Sequence, residues 1–320
     1  MLKNCCHLFL IIVLFTGFVC ACCSLPDTNS LIVSTGNGEF QQIKAGVDQP
    51  HESTDTSHHK LDASSFEVLS WNGLAGCRKT IKNITGFAFN CTPQKWNDLF
   101  WDLSKGKDII LIQEAYMDDD FLHIMDAFDT PYSWNMAVSF MADKERNIPT
   151  GVLTMSTATA QSVYAMRACE PVFPTPKSAL FTTFAFTDHA EKLLVVNVHA
   201  ILMGTENFKR QLIRIKKKIN GHNGPVIVAG DFNTMTKRST KLLDTIIKNS
   251  GLVQTLTREF NEVTFEIDKR VTSIFGYPYD FIFYRGLIPE LAYIIDLNDA
   301  KEDKVSDHNP LIVRFRLEKQ

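Results

Sequence analysis

The chain predicts an α/β domain in which sheets pack against one another with helices outside. Three observations lead there. Roughly ten strand-like runs stand against about four helical ones. Several strand-like runs follow one another directly in the middle of the domain. No Gly-rich fingerprint follows the first strand, which argues against a doubly wound dinucleotide fold.

The domain does not begin at the N-terminus. MLKN carries one cation, Lys3, and residues 8 to 19 (LFLIIVLFTGFV) are uncharged and apolar. That run suits a signal-peptide core and is short for a membrane span. Val19, Cys20, Ala21 and Cys22 resemble a lipobox, with Cys22 the residue that would be lipidated, although Cys20 is unusual at the middle position. Residues 1 to 23 therefore read as an export signal, with the mature chain periplasmic, membrane-anchored through Cys22, or secreted. Residues 24 to 62 are polar, with few apolar anchors, and read as a flexible tether. His51, His58 and His59 match no metal-site spacing and belong with that tether.

Residues 63 to 320 have the length of one large domain. The first 62 residues account for the whole net charge of −3, so the domain is neutral and lacks the overall basic bias of many nucleic-acid binders. Its three cysteines, Cys77, Cys91 and Cys169, are no disulfide framework. In an oxidising compartment Cys77 and Cys91 can pair and leave Cys169 buried; alternatively all three are small buried residues.

Along the domain, SFEVLSWN from 65 is the first strand. Thr92-Pro93 then opens a helix with Trp96, Leu99, Phe100 and Leu103 on one face, closed by Gly106. DIILIQEA from 108 is a buried strand turning polar at its end, and FLHIMDAF from 121 a short helix. Strands follow at SWNMAVSF (133), TGVLTMS (150), ALFTTFAF (179) and KLLVVNVHA (192). A basic helix near 205 to 219 precedes the strand PVIVAGDFN (225), and a helix near 239 to 249 follows it. YDFIFYRG (279), ELAYIIDL (290) and PLIVRFRL (310) are the last strands. In the basic helix Phe208, Leu212, Ile215 and Ile219 face the core, and its cations read as a solvated face or as a contact for an anion.

The chemistry lies where these apolar strands end. LSWN ends in Asn72, IILIQE in Gln113 and Glu114, and LLVVNVHA carries Asn197 and His199. VIVAGDFN ends in Asp231 and Asn233, YDFIFYRG begins with Asp280, and SDHNPL brings Asp307 and His308. Each alone is ordinary turn, cap or core chemistry. Brought to one rim by packed sheets, the carboxylates and amide oxygens would make a hard pocket for Mg²⁺ or Mn²⁺, with two histidines to meet a phosphate.

These six motifs resemble, in order, those of the endonuclease/exonuclease/phosphatase, or DNase I-like, superfamily, over roughly residues 66 to 317. The resemblance implies a four-layered α/β sandwich, two packed mixed sheets flanked by helices, and metal-dependent phosphoester hydrolysis. It gives Asn72, Glu114 and Asp307 as metal ligands and His199 as a contact to the scissile phosphate. Asp231 would orient or deprotonate the attacking water, with Asn233 beside it. Asp280 would orient His308, which would stabilise the developing charge on the phosphate or protonate the leaving oxygen. Asn197 and Arg78 are assigned to substrate contact. An exported, monomeric nuclease is the first expectation. A phosphatase or phosphodiesterase on inositol phosphates or phospholipids such as sphingomyelin is the second. An inactive surface binding protein of the same fold is the third, and the intact set of site residues argues against it.

Overall fold

The computed structural model describes residues 29–36, 39–45, 51–52, 59–77, 91–126, 132–171, 175–255, 278–297 and 305–318. The residues read as an export signal, Cys22 among them, and Arg78 lie outside these. In chain order the first elements are β1 (Asn29–Gly36), β2 (Glu39–Ala45), β3 (His51–Glu52), β4 (Phe66–Asn72), a 3-10 turn at Leu74–Cys77, α1 (Pro93–Ser104), β5 (Ile109–Tyr116) and α2 (Asp119–Asp126). There follow β6 (Ser133–Asp143), β7 (Ile148–Ser156), β8 (Ala160–Ala168), β9 (Lys177–Ala185), β10 (Lys192–His199) and α3 (Thr205–Asn220). The last are β11 (Val226–Asp231), α4 (Lys237–Lys248), β12 (Val253–Gln254), β13 (Asp280–Arg285), β14 (Leu287–Ile294) and β15 (Leu311–Leu317).

Two mixed sheets result. One runs β14-β15-β4-β5-β7-β6-β1-β2 and the other β12-β13-β11-β10-β9-β8-β3. Alternate side chains of each central strand fill different layers. Ile109 and Leu111 of β5 meet Leu193 and Val195 of β10 between the sheets. Ile110 and Ile112 turn outward onto Trp96, Phe100 and Phe121 of α1 and α2. Leu194, Val196 and Val198 turn outward onto Phe208, Leu212 and Ile215 of α3 and Leu243 and Ile246 of α4. Burial on both faces explains why these strands are apolar without alternation. Each fully buried aliphatic side chain contributes roughly 1.5–3 kcal/mol. Local chemistry agrees: Thr92 caps α1 by accepting from Lys95 N at 3.3 Å, with Pro93 in the first turn. Thr236 and Ser239 form a reciprocal cap that starts α4 two residues ahead of its expected position.

Two expectations are corrected, and one strand was not anticipated. Strands β1, β2 and β3 lie within the segment read as a flexible tether; β1 pairs with β6 and β3 with β8. The apolar triplet Leu31, Ile32, Val33 is buried and supplies the anchor. Strand β8 (AQSVYAMRA) had no expectation, because Ala, Gln and Ser dilute its apolar signal. Cys169 is half-buried rather than buried. Cys77 and Cys91 form a disulfide.

A candidate active site at one rim of the sandwich

Register places the polar strand ends in rows. β4 and β5 run parallel with Asn72 opposite Gln113. β10 and β11 run parallel with His199 opposite Asp231. β13 runs antiparallel with Asp280 opposite Asp231. β15 begins opposite Ser70 of β4, which sets the preceding Asp307–His308 loop beside Asn72. Two local departures aim side chains into the rim. A bulge interrupts the β5–β7 pairing between Ile112 and Ala115, and Glu114 within it has a φ of 54°. Left-handed backbone at a non-glycine costs of order 1 kcal/mol and is a mark of functional sites. At Gly230 (φ 136°) a Cβ would lie 2.0 Å from the Val198 carbonyl oxygen, so only glycine lets β11 lie this close to β10 before Asp231.

Asp231 is the hub, only 2% exposed. Its Oδ1 accepts from the backbone N of Asn233 at 2.8 Å, and its Oδ2 accepts from Asn72 Nδ2 at 3.0 Å. The same Oδ2 is 3.6 Å from His199 Nε2 and 3.9 Å from His308 Nε2. Asn233, itself at φ 50°, donates to the Ala200 carbonyl at 2.8 Å and so ties the loop after β11 to the loop after β10. His308 Nδ1 is 2.7 Å from Asp280 Oδ2, which fixes the proton on Nδ1 and turns Nε2 toward Asp231.

The two buried histidines are pushed in opposite directions. Burial alone would lower the proton affinity of His308, but Asp280, Asp231 and Asp307 outweigh it and hold the pKa well above the usual histidine value. Burial lowers the pKa of His199, and the charges of Lys177 and His308 lower it further. His308 is therefore an imidazolium near neutral pH and His199 a neutral imidazole. Burial also raises the Glu114 pKa, with Asp307 and Asp231 adding to the effect and Lys177 and His308 opposing it.

That crowding bears on a metal. Asp231 and Asp307 both repel Glu114, and Oδ1 of Asp307 is buried with no hydrogen bond. A divalent cation satisfies both conditions, and hard carboxylate oxygens suit Mg²⁺ or Mn²⁺. Glu114 and Asp307 are the residues that fit this role. Asp231, Asp280 and His308 also lie within 4.8 Å of one another. Oδ2 of Asp280 is committed to the His308 ring, however, so that trio works better as a dyad facing Asp231 than as a cage. Asn72, the third expected ligand, has both ends of its amide engaged. Its Oδ1 accepts from Leu74 N at 3.1 Å while its amino group holds Asp231, so here it is a positioning group.

Asn197 is a clear correction. It is fully buried: its Oδ1 accepts from Gln113 Nε2 at 2.7 Å, and its Nδ2 donates to the carbonyls of Leu153 at 2.8 Å and Ile112 at 3.3 Å. These bonds tie one sheet to the other, and the amide has nothing left for a substrate. Three residues entered no motif. Lys177 Nζ is 2.8 Å from His199 Nε2. Gln211 donates to the His199 carbonyl at 3.2 Å and accepts from Ile201 N at 2.8 Å. Glu170 accepts from Leu202 N and Met203 N, each at 2.8 Å, and so holds the same loop. For Lys177 it is the strand register, not a sequence motif, that gives the placement. The β9–β10 hairpin register pairs Val198 with Ala179, two residues from Lys177.

The family pattern of the endonuclease/exonuclease/phosphatase proteins matches residues 69–308, nearly the span of this rim's motifs. The chain belongs to that family. A UPF0294 protein of Vibrio cholerae serotype O1 is 35% identical over 224 residues, covering 69% of this chain and 73% of the relative. A UPF0294 protein of Vibrio campbellii is 29% identical over 314 residues, covering 98% and 96%. Among solved structures, the human nocturnin catalytic domain with bound sulfate covers 81% of this chain and 96% of its own at a TM-score of 0.59 and 18% identity. A family protein from Leptotrichia buccalis covers 79% and 100% at 0.57 and 17%. At such identities the structures show the shared fold, a sandwich of two packed sheets with outer helices, as the motifs imply. The chemistry associated with the family is hydrolysis of phosphoester bonds, generally with a divalent metal.

Proposed function

We propose that this protein is an exported nuclease that hydrolyses phosphodiester bonds with the help of Mg²⁺ or Mn²⁺. One observation carries the reaction class: two buried histidines, one against Lys177 and the other against Asp280, flank a single carboxylate, Asp231. Paired groups whose environments push their proton affinities apart mark acid and base roles.

In this reading the scissile phosphate enters between His199 and His308. Lys177, oriented by the neutral His199 ring whose Nε2 accepts from it, binds the non-bridging oxygens. Asp231, held by Asn72 and by the Asn233 amide, accepts a proton from a water as its oxygen bonds to phosphorus. His308 gives its Nε2 proton to the leaving oxygen as the phosphorus–oxygen bond breaks, while Asp280 holds the ring and its charge. Glu114 and Asp307 would hold the cation, which supplies charge neutralisation at the phosphate.

Export is supported by the N-terminal apolar run and by the disulfide, which persists in oxidising compartments. In that compartment the chain acts as a monomer, tethered to a membrane if Cys22 is lipidated. Nucleic acid as substrate is supported by Lys209 and Arg210, exposed on α3 next to Gln211, which holds the His199 backbone.

The test is purified protein with Mg²⁺ or Mn²⁺, with and without EDTA, on plasmid DNA, RNA, inositol phosphates and sphingomyelin. Metal-dependent cleavage of DNA or RNA is expected. Cleavage confined to inositol phosphates or lipid would replace the nuclease reading with the phosphatase or phospholipase one. Cleavage that survives EDTA would remove the metal.

A further inference from the structure

The disulfide lies closer to this rim than a stabilising bridge requires. Leu74, Ala75, Gly76 and Cys77 are four consecutive residues in the left-handed region, with φ values of 46°, 49°, 59° and 62°. Three of them carry side chains, and all four are buried. Non-glycine residues hold that conformation only where their surroundings over-determine it. The covalent part of those surroundings is the bond from Cys77 to Cys91, the residue before the Thr92 cap of α1.

The turn connects directly to the chemistry. Its first amide, Leu74 N, donates to Asn72 Oδ1, and Asn72 Nδ2 donates to Asp231 Oδ2. On the other side the two sulfurs lie 3.0 and 3.5 Å from the Val305 carbonyl oxygen. The next residue, Ser306, donates to the Asn72 carbonyl at 2.6 Å and accepts from His308 N at 3.1 Å. The bridge therefore sits where the Asn72 strand end and the Asp307–His308 loop meet.

We propose that the Cys77–Cys91 disulfide is a positioning element for this active site: it holds the left-handed turn that orients Asn72 on Asp231, and its reduction lowers the rate of turnover while the fold persists. The proposal rests on the hydrolase reading given above. A dithiol reductant would attack one sulfur as its thiolate and break the Cys77–Cys91 bond. Its second thiol would then close its own disulfide. Two electrons pass to the protein, and two protons end on the Cys77 and Cys91 sulfurs.

The experiment compares full-length protein oxidised, reduced with a dithiol, and reoxidised, with reduction confirmed by thiol alkylation and mass. Losing one hydrogen bond to a charged catalytic group corresponds to about ten- to a hundredfold in rate. The expected result is a fall in kcat of that size, KM within about twofold, recovery on reoxidation, and a thermal transition that stays cooperative. An unchanged kcat in fully reduced protein overturns the proposal. Loss of cooperative unfolding on reduction also overturns it, since the bridge would then be a general stability device. Cys77→Ser/Cys91→Ser should reproduce the reduced enzyme without reductant. A second readout is independent of activity: the side-chain amide NMR signal of Asn72 should move on reduction. If it moves in a protein that cleaves no phosphoester, the positioning role stands and the hydrolase reading falls; if it stays fixed, the positioning role falls alone.

Discussion

His199 and His308 are the same residue type at nearly the same depth, 4% and 6% exposed, and they sit on either side of Asp231. Burial pushes both toward the neutral form. They part because of their nearest partners: a lysine 2.8 Å from one, an aspartate 2.7 Å from the other. Depth lowers both alike, and only the aspartates around His308 reverse the sign. The rim thus contains one proton donor and one neutral ring. The sharpest ways to probe that arrangement exchange the neighbours rather than the histidines.

The largest effect should follow Asp280→Asn. The ring keeps a partner of the same shape and loses the charge that most opposes its desolvation. His308 should then titrate lower, and kcat should fall by about a hundredfold, within the usual range for general acid–base help. In the proposed reaction the protonated ring is the active form, so activity should be lost as pH rises through the folded-state pKa. The variant should move that alkaline limb to lower pH. The stability contribution has the same sign: it is fully present below the unfolded histidine value of about 6.5 and is lost as pH rises through the raised folded value. A pH–rate profile with an unmoved alkaline limb would remove His308 as the acid.

An intermediate effect is expected for Lys177→Met. A charge-assisted hydrogen bond lost from bound phosphate should lower kcat/KM by about tenfold to a hundredfold, mostly through KM. Lys177 also helps to depress the His199 pKa, so NMR titration of the variant should find His199 protonating at higher pH than in the native protein. Here the linkage runs the other way. His199 supports stability above about pH 6.5 and withdraws it as pH falls through its lowered folded value, and the variant should resist acid better in that window. Lys177→Arg should retain most of the binding, whereas equal KM in all three proteins would exclude a phosphate contact.

The motif strands were legible because burial on both faces leaves continuous apolar runs, against which a terminal Asn, Glu or Asp stands out. The direction of each side chain was less so. Leu193, Val195, Asn197 and His199 share one face of β10, so alternation alone carries both Asn197 and His199 inward. What separates them is depth, about 7 Å along the strand, and depth depends on where the other sheet ends. Glu114 is the converse case. Simple alternation sends it away from Gln113, and the bulge that turns it into the rim leaves no mark in the sequence. Strands β1 and β8 escaped for a third reason: they are too short in apolar length or too rich in Ala and Ser to rise above their surroundings. Lys177 escaped because a lone cation opening a strand has no motif of its own.

Asn197 offers the smallest effect on rate and the cleanest division between the rim and the layer beneath it. Asn197→Leu keeps the volume roughly constant but takes the short acceptor from Gln113 Nε2, leaving it Ser70 Oγ and the Leu111 carbonyl at 3.4 Å, and removes the donor to the Leu153 carbonyl. Each buried polar group left unmatched costs about 1–3 kcal/mol. The variant should therefore lose about 2–4 kcal/mol of stability, a fall of roughly 4–16 °C in Tm for a domain of this size. Below its own transition it should turn over with kcat and KM within about twofold of the native protein. Adding Gln113→Leu should cost less than the sum of the two single changes, because both remove the same 2.7 Å bond. A tenfold rise in KM with little loss of stability would instead mean that the amide leaves its partners to meet substrate. With every polar atom of Asn197 already bonded at the sheet interface, that outcome requires the sheets to separate, so it would appear together with faster amide exchange in β5 and β10.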